Sequence, residues 1–195
     1  MYGWTLIASL VIGIAAWVLI AGFVRTWRLY HGVHVITCPE NLRSAAVRVN
    51  VLEAAKWNAL SGESDLSLRT CTRWPEMAGC DEACLSQIES SPRACAVTTL
   101  VSNWYANKQC HFCGKAIGEI SWHERPPALW TLDGLTHEWK DLAAEDLPTL
   151  FATADPVCWA CHVVETFRRE HPEKVIEAPR HGEARKVIPP SAATY

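Results

Sequence analysis

Cys110-His-Phe-Cys113-Gly114 and Pro156-Val-Cys158-Trp-Ala-Cys161-His162 are the two stretches whose reading decides the fold. A Cys-x-x-Cys pair can grip one metal ion from a single turn of chain. Two such pairs supply four thiolates, the closed shell of a structural zinc site. Gly114 follows the first pair, where the chain must bend sharply and amide N–H groups can face the sulfurs. The second pair is expected at the start of a helix, with Val163, Val164 and Phe167 at helical spacing. The positive end of that helix dipole favours thiolate over thiol. Cys110, Cys113, Cys158 and Cys161 are therefore the expected metal ligands, with Trp159 packed over the ion.

Between the pairs the spacing predicts strands at Glu119–His123, Ala128–Leu132 and Leu135–Trp139, the last two joined by a two-residue turn at Asp133-Gly134. A knuckle ending in glycine, a β-hairpin, and a helix opened by the second pair resemble, in that order, the treble-clef and zinc-ribbon modules. The resemblance covers about residues 110–170 and implies a fold and a metal, with no activity attached.

The second pair has a rival reading. Cys158-Trp-Ala-Cys161-His162 matches the attachment motif of c-type haem, in which Cys158, Cys161 and His162 would bind the cofactor. Such a protein would be an exported, membrane-anchored electron carrier. Its second axial ligand would come from Met1, Met77, His111 or His123. The first pair does not share the motif, because Gly114 stands where the histidine would be. A thiol–disulfide oxidoreductase is a further alternative, but neither pair lies in the βαβ context that chemistry uses.

Zinc and haem divide on the side of the membrane, so the N-terminus matters. Trp4 to Val24 carry no charged side chain, enough chain to cross a hydrocarbon core that needs about 20 residues. Tyr2 and Trp4 flank one end and Trp27 and Tyr30 the other, as an aromatic belt would. A cleavable signal peptide would want a basic start and a shorter apolar run. Arg25 and Arg28 follow the span and no basic residue precedes it, which points the C-terminal domain to the cytoplasm of an inner or plasma membrane.

Nine cysteines stand in the chain, an odd number that does not close as a disulfide framework. In a reducing compartment they read as metal ligands. Cys71, Cys80, Cys84 and Cys95 cluster in the spacing Cys-x8-Cys-x3-Cys-x10-Cys and are expected to form a second metal site, with Cys38 as the alternate fourth ligand. Asp81 is the expected N-cap of a short helix that carries Cys84 in its first turn. The 18 basic and 21 acidic residues mix both signs after the apolar run, so no basic stripe marks a nucleic-acid binder. His123-Glu124 and His137-Glu138 lack the second histidine of a zinc protease helix, and no catalytic residue is assigned.

Elsewhere the pattern predicts a hairpin over 31–51, a helix over 52–60, and a helix over 96–106 anchored by Trp104 and Tyr105. Further helices are expected over 145–154 and 157–170. The expected organisation is a transmembrane anchor (1–24), a juxtamembrane hairpin and helix (25–65), a Cys-rich metal-binding domain (66–170) and a disordered tail (171–195). Taken together, the expectation is an α+β, single-span, zinc-binding accessory or adaptor protein. Its partners would be membrane lipid and another membrane protein, with no nucleic acid.

Overall fold

The computed structural model describes residues 2–62, 65–77 and 79–175. Helix α1, Tyr2–Tyr30, opens the chain. It is apolar and long enough to cross a membrane, and most of its side chains face outward, with Trp4 82% exposed. It runs on past the expected end of the span, because its last turns belong to the folded domain. Thr26 and Tyr30 are buried there, and Gly22 lies against Asn58 and Ala59 of the next helix. Gly32, at φ 111°, then turns the chain into the first strand.

Strands β1 (His34–Thr37), β2 (Ser44–Val49) and β3 (Leu68–Cys71) form an antiparallel sheet in the order β1-β2-β3. The hairpin expected over 31–51 is β1 and β2. β3 joins it from beyond the expected boundary at 65/66, so the two segments share one sheet. β2 does not alternate cleanly: Ala45, Ala46 and Val47 are all buried. It is the central strand, and the 3₁₀ turn Ala144–Asp146 packs against it, so both faces are covered. Helix α2 (Val51–Ser61) follows directly. Asn50 donates to Glu53 at its start, and Gly62, at φ 80°, ends it by returning its N–H to the Asn58 carbonyl.

Helices α3 (Leu85–Ser90), α4 (Pro92–Cys95) and α5 (Val97–Tyr105) come next. Ile88 of α3 enters the core shared by Ile36, Val47, Leu68 and Tyr30. Asp81 caps a turn ahead of α3 by accepting from the Ala83 N–H, and Cys84 itself takes the N-cap position. A second core surrounds Val101, Tyr105 and Leu147, where Trp104 stacks on Phe151 and donates to its carbonyl. The expected anchoring of α5 by Trp104 and Tyr105 is therefore what the fold shows.

The second sheet contains β4 (Ala128–Trp130), β5 (Thr136–Glu138) and β6 (Asp155–Val157), in the order β5-β4-β6 and antiparallel throughout. The turn at Asp133-Gly134 is wider than expected. Thr131 N–H donates to Leu135 O, which encloses three residues, with Gly134 at φ 76°. The strand expected at 119–123 does not form; a single bridge joins Ser121 to Arg125. Pro126 and Pro127, without N–H groups, keep this stretch from continuing as a ladder. Helices α6 (Leu147–Thr153) and α7 (Trp159–Glu170) complete the domain, followed by a 3₁₀ turn, Pro172–Lys174. The expected disordered tail lies outside the described residues from 176 onward.

His34 starts β1 fully buried, and neither ring nitrogen has a well-formed hydrogen bond among the described residues. Burial lowers its pKa below 6.5; the nearby backbone of Leu29 and Gly32 opposes this without overcoming it. The folded state thus holds a neutral imidazole, while the unfolded chain takes up a proton below about pH 6.5. Stability contributed this way is present above that pH and is lost as pH falls below it. Denaturant midpoints measured from pH 7 to pH 5 should fall, and His34→Leu should show a shallower fall than the parent.

Candidate metal centre

The two cysteine pairs meet although about a quarter of the chain separates them. The Sγ atoms of Cys110, Cys113, Cys158 and Cys161 all lie within 4.8 Å of one another. Cys113 Sγ and Cys158 Sγ are 3.8 Å apart. Among the described residues this is the single group of three or more Cys, His, Asp or Glu ligand atoms drawn so close.

Local structure explains the convergence. Cys110 N–H donates to Lys115 O and Gly114 N–H donates to Cys110 O, closing a tight loop around the first pair. Gly114 stands at φ 68°, the left-handed conformation that a side chain would strain. The loop is held to the second sheet by His111 N–H, which donates to Pro156 O at 2.8 Å. Pro156 can occupy β6 because that strand is an edge. Two residues on, Cys158 is the N-cap residue of α7, and its N–H points to Cys110 Sγ at 3.3 Å. Each pair thus positions the other. Ala128 and Val157, both fully buried, form the floor beneath Cys110.

The four sulfurs are not electrostatically equivalent. Cys110 is 2% exposed, and burial works against its thiolate. The N–H groups of Cys158, Cys113 and Phe112 outweigh burial and bring its pKa down to about 7. Burial pushes the Cys158 and Cys161 thiols the other way, and proximity to Cys110 adds to the effect. One negative charge is accommodated by the backbone; further thiolates repel it. A divalent cation among them removes that repulsion.

His162 is buried beneath α7, away from solvent. Its Nδ1 pairs with Thr136 Oγ1 at 2.9 Å, and its Nε2 lies 3.6 Å from Glu138 Oε1. Burial lowers its pKa, with Glu138 opposing. The ring therefore faces β5. Thr136, which holds it with Glu138, was not singled out from sequence, and Glu138 was read only within the His137-Glu138 pair. They are alternate residues of one strand and so share a face. Trp159 is half-buried against His162 and borders an open groove of about 630 Å³ together with Cys158, Ile117, Ile120 and Val163. His111 stacks on Trp130 and pairs with Asp155 at 3.1 Å, while His123 is exposed.

The remaining cysteines are all free and lie around the first sheet. Cys71, Cys80 and Cys84 line one small cavity together with Cys38. Cys95 is outside that lining; its Sγ faces the Gln87 carbonyl at 3.7 Å. α4 carries Cys95 toward α3, whereas the turn after β1 brings Cys38 to the cavity.

Tyr105 supports the centre from behind. Its hydroxyl donates to the Ala128 carbonyl of β4 and accepts from Trp139 Nε1 at 3.1 Å. Tyr105→Phe removes both hydrogen bonds and should cost about 1–3 kcal/mol in denaturant unfolding, with the bound-metal content unchanged. Comparison with protein-family models, curated proteins and solved structures finds no match to this chain.

Proposed function

We propose that this is a single-span membrane-anchored protein whose domain is held together by a structural zinc ion on Cys110, Cys113, Cys158 and Cys161. The observation that carries the reading is the convergence of the four sulfurs within 4.8 Å. Tetrahedral zinc with Zn–S bonds of about 2.3 Å needs sulfur–sulfur edges of roughly 3.8 Å, and Cys113 and Cys158 are 3.8 Å apart. A compact all-thiolate donor set suits zinc, a borderline-soft ion without geometric preference of its own. The order of knuckle, β4–β5 hairpin and α7 supports a treble-clef-like module.

A four-thiolate shell has no position for substrate, so the ion holds the fold and does not catalyse. The function is then binding, as an accessory or adaptor subunit that works with another membrane protein. The apolar, outward-facing α1 supports a membrane anchor. Arg25 and Arg28 at its end favour a cytoplasmic domain. Haem attachment at Cys158 and Cys161 is disfavoured by His162, whose ring is buried against Thr136 and Glu138.

Purified protein should contain zinc and no covalent haem. Cys110→Ser should lower bound zinc and destabilise the domain, by about 10 kcal/mol if the ion contributes as it does in small zinc-finger peptides. His162→Ala should retain zinc. Zinc analysis and a haem stain on these proteins decide the matter: zinc undiminished in Cys110→Ser, or covalent haem in the parent, contradicts the reading. For topology, a C-terminal alkaline phosphatase fusion should be inactive and a fluorescent-protein fusion bright. The reverse pattern places the domain outside.

A further inference from the structure

We propose a second thiolate metal site, formed by Cys38, Cys71, Cys80 and Cys84, that binds one zinc-class ion independently of the Cys110 centre. These four residues come from three separate parts of the chain. Cys38 follows β1, Cys71 ends β3, and Cys80 and Cys84 lie on the segment entering α3. β1 and β3 flank β2 on opposite sides, and both leave the sheet past the same end of it. The fold thereby brings a thiol from each edge strand to one place, and the segment before α3 adds two more.

The space they surround has the size of an ion. The cavity is about 20 Å³, and the four cysteines line it together with Ile36, Trp74, Met77, Arg73 and acidic residues that include Glu40 and Glu82. That is room for one water-sized particle and excludes an organic ligand.

The backbone around Cys71 also resembles that of the first centre. Arg73 N–H points at Cys71 Sγ at 3.4 Å, two residues on, as Phe112 N–H supports the Cys110 sulfur. The Cys71 carbonyl accepts from Trp74 N–H, so the chain turns tightly beneath the sulfur. Two of the acidic side chains lining the cavity have other work: Glu82 accepts from the Leu68 N–H, and Asp81 from the Ala83 N–H. No three of these four sulfurs lie within 4.8 Å of one another, and Zn–S bonds of about 2.3 Å would draw them in.

The two centres are distinguishable by stoichiometry. Full-length protein, purified in detergent under reducing, zinc-replete conditions, should carry two zinc ions per chain. Cys38→Ser should carry one, Cys110→Ser one, the double variant none, and Cys95→Ser two. Retention of one ion in Cys110→Ser holds even if the first site is lost, so failure of either site reads separately. Should Cys38→Ser or Cys110→Ser not fold, Cys80→Ser and the parent stoichiometry provide the same information. One zinc per parent chain, a disulfide among the four cysteines, iron with sulfide in place of zinc, or loss of an ion in Cys95→Ser overturns the proposal.

Discussion

Cys110 Sγ is where the distant parts of this domain come together. Its charge is accepted by N–H groups from its own loop and by the N–H of Cys158, 3.3 Å away at the start of α7. That single contact sets the second pair against the first. It fixes where β6 must end and where α7 must begin, and β4 supplies the floor between them. The arrangement is close-packed but electrostatically one-sided, because several thiols share one backbone environment. Proposing a cation at their centre follows from that imbalance as much as from the spacing of the cysteines.

The pieces that do not touch the centre are built to hold it still. Tyr105 ties α5 to β4, and Trp139 ties the end of the hairpin to Tyr105. Around them the aromatic group of Trp104, Trp139 and Phe151 fills the space between α5 and α6, with edge-on and stacked ring contacts. His162 anchors α7 to β5 through Thr136. The Cys-x-x-Cys-His run thus has its histidine used for packing.

Short-range signals carried much of the fold. The paired spacing of the cysteines, the glycine after the first pair and the uncharged N-terminal run each reflect one local requirement, and each appears in place. What the chain could not disclose locally was long-range. Cys38 and Cys95 are both single thiols near polar residues, and only the pairing of β1 with β2 and the path of α4 separate them. The strand expected at 119–123 had suitable side chains, but Pro126 and Pro127 decided its fate. Ala46 reads as an outward position until the 144–146 turn covers it. Thr136 drew no notice because a polar residue on a short strand is ordinary until a histidine is buried against it.

X-ray absorption at the zinc edge on the purified parent protein tests the central claim most directly. The account predicts a first shell of four sulfurs at about 2.3 Å with no nitrogen or oxygen ligand. A shell containing imidazole nitrogen, an open position occupied by water, or no zinc signal at all would contradict it.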